Sequence, residues 1–136
     1  MKKYLYISIG GAIGALLRVA LRNASFLDFK TNIPVDTLII NILGCFLLAL
    51  FMTASLEVLE VDAELRIGIS TGLLGAFTTF STFCKETMVL YSNSQYFSAG
   101  AYVLLSFGLG FAGAFLGVIL ARKWIAKISR RAMGDY

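Results

Sequence analysis

GLLGAFTTFSTF, residues 72–83, lies within a long apolar run and decides the fold of this chain. Glycine costs about 1 kcal/mol relative to alanine inside a helix, and Ser and Thr can bond nearby backbone groups instead of extending it. Phe77, Phe80 and Phe83 recur at every third position, so the three rings would share a face of any helical turn. We therefore predict a membrane helix that is broken near its middle. Irregular backbone at that depth is tolerated only where it faces protein or a watery cavity, so the break indicates an ion or solute site.

The composition of the whole chain is that of a membrane protein. It has 136 residues, of which 58% are hydrophobic, with one proline and no histidine. A helix needs about 20 apolar residues to cross a bilayer core, and four runs are long enough. These runs cover residues 4–22, 36–56, 67–91 and 99–122. We predict an all-α membrane protein in which residues 1–136 form a single domain of four transmembrane helices, the third of them broken.

Several classes of protein are excluded by the residues themselves. The first run ends in arginines and contains Gly10 and Gly14 rather than a small-residue cleavage site, which favours a membrane span over a signal peptide. Cys45 and Cys84 match no metal or redox spacing, and we interpret them as packing residues. Without histidine, an intramembrane pair of acids or a nucleophile beside a base, the chain is not expected to be an enzyme.

Positive charge is distributed unevenly between the two sides of the predicted bundle. Four spans place both termini and the second loop together, on a side with eight basic residues: Lys2, Lys3, Arg66, Arg122, Lys123, Lys127, Arg130 and Arg131. The other side has at most four: Arg18, Arg22, Lys30 and Lys85. This excess favours cytoplasmic termini. We interpret the basic tail as an interfacial anchor and expect no nucleic acid as a partner.

Polar residues inside the spans leave more than one interpretation open. Arg18, near the end of the first span, either snorkels to the interface or concentrates anions at a pore mouth. Asn41 is the only amide in its span, so it faces the bundle interior and either joins helices or contacts a solute. Tyr102 and Ser106 stack on one helix face, as a ladder for an ion or as interhelical hydrogen bonds. Lys85 and Glu86 are neighbours in sequence and point in different directions, so no mutual salt bridge is expected.

Glycines in the first and fourth spans favour close helix packing. Gly10 and Gly14 form a small-xxx-small pair. The fourth span carries Gly108, Gly110, Gly113 and Gly117. In the second span, Gly44 follows Asn41 by nearly one turn and permits a neighbour to come near.

The break also bears on which solute the chain carries. Where two half-helices meet in a membrane, N-terminal ends attract anions and freed carbonyls attract cations. Phenylalanine rings have a positive edge, so a column of ring edges could steady a small anion. A cation path would need acidic side chains in the spans, and these are almost absent.

Three stretches of the chain resemble the CrcB/Fluc family of fluoride channels. They are GGAIGALLR at residues 10–18, PVDTLIINILG at residues 34–44, and residues 72–83 with Glu86 following. The third, of the form GxxGxxTTFSTF, is the most specific. The resemblance covers essentially the whole chain. Ala76 stands where many relatives have a second glycine, which leaves the backbone carbonyls in place.

The resemblance implies a passive, fluoride-selective channel in the cell inner (plasma) membrane, through which cytoplasmic fluoride is exported. It implies an antiparallel, dual-topology dimer of four-helix subunits with two pores. One structural sodium ion would lie at the dimer centre, bound by the backbone carbonyls of Gly75 and Thr78 from both subunits. Phe80 and Phe83 match the ring-edge fluoride contacts, and Asn41 the pore amide. The remaining pore matches are Arg18 at the vestibule, Ser81, Thr82 and Glu86 on the polar path, and Ser106 in the fourth span.

The second subunit implied by the resemblance is either an identical copy or a paralogue. An antiparallel homodimer needs insertion in both directions, whereas the basic residues favour one. Either family packing overrides this bias, or the partner is a paralogue with the opposite bias. Two alternative functions differ in class. A small antiparallel multidrug or cation exporter needs a carboxylate in the first span, and residues 4–22 contain none. A structural membrane subunit would explain the glycines but not the hydroxyl-rich break.

Overall fold

A computed structural model describes residues 1–23, 31–57 and 61–133, and the side chains of all of these except 126 and 128–133. Its elements are α1 (Lys2–Arg22), α2 (Val35–Glu57), α3 (Ala63–Ile67), a π-helical segment (Gly68–Leu74), α4 (Gly75–Phe77), α5 (Phe80–Ser92) and α6 (Tyr96–Met133). No strand occurs in these described ranges. Four stretches are long and apolar enough to cross a membrane: Lys2–Arg22, Val35–Glu57, Ala63–Ser92 and Tyr96–Ile125. The all-α class and the four candidate spans are therefore confirmed.

The third and fourth spans are longer than the sequence predicts. The third begins at Ala63, because the carboxylate of Asp62 caps it by accepting the N–H groups of Glu64 at 2.8 Å and Leu65 at 3.3 Å. The fourth continues as helix to Met133, through the basic residues that follow the apolar run. The predicted anchoring role of the last two arginines, at 130 and 131, falls on side chains outside those described.

The third span changes backbone conformation along its length. A short α-helix leads into the π-helical segment and then into α4, which ends at Phe77. Thr78 (φ −78°, ψ 160°) and Thr79 (φ −147°, ψ 119°) are extended, and α5 begins at Phe80. Two extended residues, Thr78 and Thr79, therefore form an interruption between α4 and α5 near the middle of the 63–92 span.

Glycines bring α1 into backbone contact with the π-helical segment. A Cβ on Gly10 would lie 2.5 Å from the carbonyl oxygen of Gly68, and one on Gly72 would lie 2.7 Å from that of Ile7. A Cβ on Gly14 would come closer still to the carbonyl oxygen of Leu73. Only hydrogen at these positions permits this approach, so the packing interpretation of Gly10 and Gly14 fits the structure.

The other long contact joins α2 to α6. A Cβ on Gly117 would lie 2.5 Å from the carbonyl oxygen of Phe46, and one on Gly113 would lie 3.2 Å from that of Ile42. Gly100 and Gly108 on the same helix have open space around them. A cluster of buried residues joins α2, α5 and α6: Leu38, Phe83, Leu90, Ala99 and Tyr102. These contacts bring α2, α5 and α6 together where the site lies.

Candidate functional site

Asn41 on α2 holds both backbone groups of Thr79 at the interruption. Its Nδ2 donates to the Thr79 carbonyl at 3.0 Å, and its Oδ1 accepts the Thr79 N–H at 2.9 Å. Thr79 is buried, so these two bonds replace the helical partners that an extended residue loses. Gly44, on the same face of α2, leaves room for the methyl group of Thr78, with which a Cβ would collide. α2 is therefore shaped to receive the interruption.

The first turn of α5 is closed by the side chain of Thr79. Its Oγ1 accepts the N–H of Thr82 at 3.2 Å, which is the usual bond of a threonine N-cap. The same hydroxyl lies 2.9 Å from Oγ1 of Thr82 and 3.4 Å from Oγ of Ser81. The hydroxyl residues that predict a break in the sequence thus serve to start the next helix.

The interruption removes the helical donors of the carbonyls of residues 75–78, and two of the lost donors bond new partners that the structure shows. In a continuous α-helix the N–H of residue i+4 serves the carbonyl of residue i. The N–H of Thr79 would serve Gly75, and the N–H of Thr82 would serve Thr78, but they bond Asn41 and Thr79 Oγ1 instead. In the described chain, only long contacts of 3.5 Å reach these carbonyls: Arg18 Nη1 to Thr78, and Thr78 Oγ1 to Gly75. Two of the freed carbonyls, those of Gly75 and Thr78, are the ones that the family resemblance assigns to sodium.

A groove of about 290 Å³ lies beside the interruption, between α2, α5 and α6. Its lining is largely apolar, with four phenylalanines, one amide and one hydroxyl: Asn41, Cys45, Phe80, Phe83, Ser106, Phe107, Gly110, Phe111 and Ala114. The ring of Phe83 lies 5.8 Å from that of Phe80 and meets that of Phe107 edge to face at 6.3 Å. Phe83 is 9% exposed and Phe80 is 73% exposed. The groove therefore brings phenylalanine rings together with an amide and a hydroxyl, and Phe83 is the more buried of the two rings from α5.

Phe77 does not share a face with the other two phenylalanines, so this prediction was wrong. Its side chain is buried next to Gly44. The prediction assumed a continuous helix from Phe77 to Phe83, but the extended residues Thr78 and Thr79 intervene and change the direction of α5 relative to α4. Of these three phenylalanines, Phe80 and Phe83 line the groove and Phe77 does not.

Glu86 is the meeting point of four helices. Its Oε1 accepts Thr37 Oγ1 at 3.1 Å and lies 3.4 Å from Nη2 of Arg22, and its Oε2 accepts the hydroxyl of Tyr102 at 2.9 Å. Arg22 also pairs with Asp36 at 3.3 Å. Tyr102 is fully buried. These donors compensate a carboxylate placed between helices, as a buried charge requires.

A second groove of about 270 Å³ opens beside Glu86. It is lined by Arg22, Asn32, Pro34, Thr82, Lys85, Glu86, Val89 and Leu90. Lys85 and Glu86 do not pair with each other in the described residues, as predicted, and both border this groove. Thr82, whose hydroxyl bonds Thr79, links the interruption to it.

The predicted site residues are distributed over the two grooves and the interruption between α4 and α5. Asn41, Phe80, Phe83 and Ser106 line the first groove, and Thr82 and Glu86 line the second. Ser81 is exposed beside Thr79. Arg18 is half-buried and lines neither groove, because its guanidinium lies at the carbonyl of Thr78. Ser106 donates to the carbonyl of Tyr102 in its own helix at 2.7 Å, while the Tyr102 hydroxyl bonds Glu86.

Sequence reasoning missed two polar partners of Glu86. Thr37 lies one turn before Asn41 on the same face of α2, so helical spacing could have identified it. Arg22 enters the sequence analysis only in the distribution of positive charge between the two sides. Its contact with Glu86 joins residues 64 positions apart. No local pattern predicts such a contact.

Comparison with known proteins identifies the family of this chain. A family model described as "CrcB-like protein, Camphor Resistance (CrcB)" matches residues 5–118. A protein named "Fluoride-specific ion channel FluC" from Sulfurihydrogenibium sp. (strain YO3AOP1) is 41% identical over 122 residues, which are 90% of this chain and 98% of that protein. Proteins of the same name from Thermosipho melanesiensis and Geobacter sulfurreducens are 43% and 38% identical, over 88% and 90% of this chain and 96% and 99% of their own lengths. With four candidate membrane spans and a family match over most of its length, this multi-pass membrane protein belongs to the CrcB family.

Proposed function

We propose that the chain forms a fluoride-selective channel through which cytoplasmic fluoride leaves the cell passively across the inner (plasma) membrane. The observation that carries this proposal is the groove at the interruption, where Asn41 and Ser106 lie with the rings of Phe80 and Phe83. Relatives that share about 40% of its residues are named fluoride-specific ion channels. The chemistry of the groove fits the same anion.

Fluoride is small and holds its water tightly, so a pore must replace that water with hydrogen-bond donors and positive ring edges. A primary amide has two N–H groups, and the bond from Asn41 to Thr79 uses one of them. The second remains for an anion in the groove. The ring edges of Phe80 and Phe83 add positive charge without tightly bound water. Chloride is larger and makes weaker hydrogen bonds, so a narrow path of this kind favours fluoride.

The two grooves suggest the course of the anion. From Phe80 and Phe83 it would pass Ser81 and Thr82, whose hydroxyls are donors, towards Glu86 and the second groove. A bare carboxylate would repel an anion there. The donors on Glu86, including the guanidinium of Arg22, reduce its negative field, and Lys85 adds a positive charge to the same mouth.

We propose that a second subunit covers the interruption, in an antiparallel dimer of identical or paralogous chains. Gly75 is exposed on the single chain, and its carbonyl has lost its helical donor to Asn41. Polar backbone near the middle of a membrane span cannot face lipid. A second four-helix subunit would shield this surface and complete the walls of the grooves.

The residues at the interruption also fit the structural sodium ion of the family resemblance. No group of three or more His, Cys, Asp or Glu capable of holding a metal occurs among the described residues, so a cation would depend on backbone oxygen. Carbonyls at unwound helix segments are known Na⁺ ligands in membrane proteins. A carbonyl oxygen has two lone pairs, so the long contact from Arg18 leaves Thr78 able to bind. Bound there, sodium would supply a fixed positive charge that joins the subunits and favours anions.

The test of this function is ion efflux from liposomes that contain only this purified chain. We expect rapid fluoride release, measured with an ion-selective electrode after a potassium ionophore is added, because the groove offers fluoride replacements for its water. Chloride-loaded liposomes of the same protein content should release chloride no faster than protein-free liposomes. Equal efflux of the two ions would rule out a fluoride-selective channel. An absence of efflux, restored by adding a paralogue, would identify a heterodimer.

A further inference from the structure

Asn41 takes part in two features at once. It lines the groove proposed for fluoride, and it makes both hydrogen bonds that hold the backbone of Thr79. Lining a pore requires only a donor directed into it. Asn41 binds both the N–H and the C=O of Thr79. Its amide thus replaces the two backbone partners that Thr79 would have in a continuous helix. This second role is not needed for contact with an anion.

The hydrogen bonds at Thr79 show what this role controls. If Oδ1 of Asn41 were absent, the nearest helical acceptor for the buried Thr79 N–H would be the carbonyl of Gly75. Closing that bond would extend α4 by one residue and occupy one of the freed oxygens. The Thr79 hydroxyl would then move away from the N–H of Thr82, which it now caps. The Gly75 carbonyl is therefore freed directly by Asn41, which binds the Thr79 N–H, and the Thr78 carbonyl is freed by the Thr79 hydroxyl, whose position depends on the bonds from Asn41.

We propose that Asn41 is the positioning residue of the cation site: by holding Thr79 extended, it keeps the carbonyls of Gly75 and Thr78 free to bind sodium. The fit of α2 supports this assignment, since Gly44 makes room for Thr78 beside the same residue. The sodium part rests on the proposed function. The part that concerns the backbone depends only on the hydrogen bonds of Asn41.

The sequence permits a direct test. Thr78 and Thr79 are the only adjacent threonines in the chain. Protein grown with threonine labelled by ¹³C at the carbonyl and by ¹⁵N at the amide therefore gives one carbonyl-to-nitrogen cross-peak in solid-state NMR. That peak reports the Thr78 carbonyl, which is a proposed sodium ligand, and the Thr79 nitrogen, which donates to Asn41. Spectra of the full chain in lipid bilayers are compared with sodium and with N-methylglucamine as the cation.

In the unsubstituted protein, we expect the ¹³C position of Thr78 to move when sodium is replaced. In Asn41→Leu, a variant of similar size without polar atoms, the ¹⁵N position of Thr79 should change and the sodium response of Thr78 should be lost. Cys45→Ala is the matched control, since it lies one turn further along α2 in the same groove. It should keep both the Thr79 position and the sodium response. Asn41→Asp retains an oxygen for the Thr79 N–H and should restore most of the sodium response.

A sodium response in Asn41→Leu equal to that of Cys45→Ala would overturn the proposal. If Asn41→Leu does not assemble, Asn41→Ser, whose side chain is too short to reach both groups of Thr79, takes its place in the comparison. If the unsubstituted protein shows no sodium response, the sodium site is wrong, and with it the positioning role. The efflux test is separate, because fluoride selectivity can fail while the cross-peak still behaves as expected.

Discussion

Phe83→Ile is expected to reduce fluoride efflux to the level of protein-free liposomes, and Phe80→Ile to do the same. Isoleucine keeps the apolar volume but has no positive ring edge, so nothing replaces the water that fluoride gives up beside it. A loss of about 3 kcal/mol at the highest barrier already slows passage more than 100-fold. The ring of Phe83 is also buried against those of Phe80, Tyr102 and Phe107, so Phe83→Ile removes these aromatic contacts as well as the ring edge.

The control for this prediction is Phe97→Ile. Phe97 is 90% exposed in the first turns of α6 and lies outside both grooves, so the same change of residue there should leave efflux intact. Size-exclusion chromatography should give the same oligomer for all three variants. Efflux at the unsubstituted rate from both Phe80→Ile and Phe83→Ile would remove the ring-edge mechanism.

Gly14→Ala is expected to destabilise the folded chain by about 1–3 kcal/mol, the usual cost of overpacking. The added Cβ would lie 2.9 Å from the carbonyl carbon of Leu73 and 3.1 Å from the nitrogen of Phe77. Both are backbone atoms, so α1 must move away from the third span instead of a side chain changing rotamer. The intrinsic preference of helices for alanine, about 1 kcal/mol, opposes this effect but does not cancel the displacement of a whole helix.

Thermal unfolding in detergent, followed by circular dichroism, measures this effect. Gly100→Ala provides the matched control, because no atom lies within 4 Å of its added Cβ. Its unfolding midpoint should stay the same or rise slightly, whereas that of Gly14→Ala should fall by several degrees. Equal midpoints for the two variants would show that α1 does not depend on this close approach.

Much of the fold follows from residues close together in sequence. Apolar runs of the length of a bilayer predict the four spans, and the two extended residues, Thr78 and Thr79, lie inside the stretch 72–83 whose composition predicts a break. Asn41 was expected to face the interior because a lone amide in hydrocarbon needs a partner. These inferences depend on local composition or on the cost of an unpaired polar group. Both properties can be evaluated within a single segment of the sequence.

The other features of the site depend on which segments of the chain pack against each other. The sequence left open whether Asn41 joins helices or contacts a solute, since both fit one buried amide. Its two bonds to Thr79 join residues 38 positions apart. The wrong prediction that Phe77 shares a face with Phe80 and Phe83 also results from contacts between distant segments. Helical spacing holds only while the helix continues, and the direction of a chain after two extended residues depends on what α2 and α6 offer for packing.

The central proposal is that the interruption forms a path on which fluoride, and not chloride, can exchange its water for protein contacts. The most direct test is the reversal potential of a planar bilayer that contains this chain alone, with fluoride on one side and an equal concentration of chloride on the other. Our account predicts a potential that approaches the limit for a membrane permeable only to fluoride. A potential near zero would mean that the two anions pass equally well, and would contradict it.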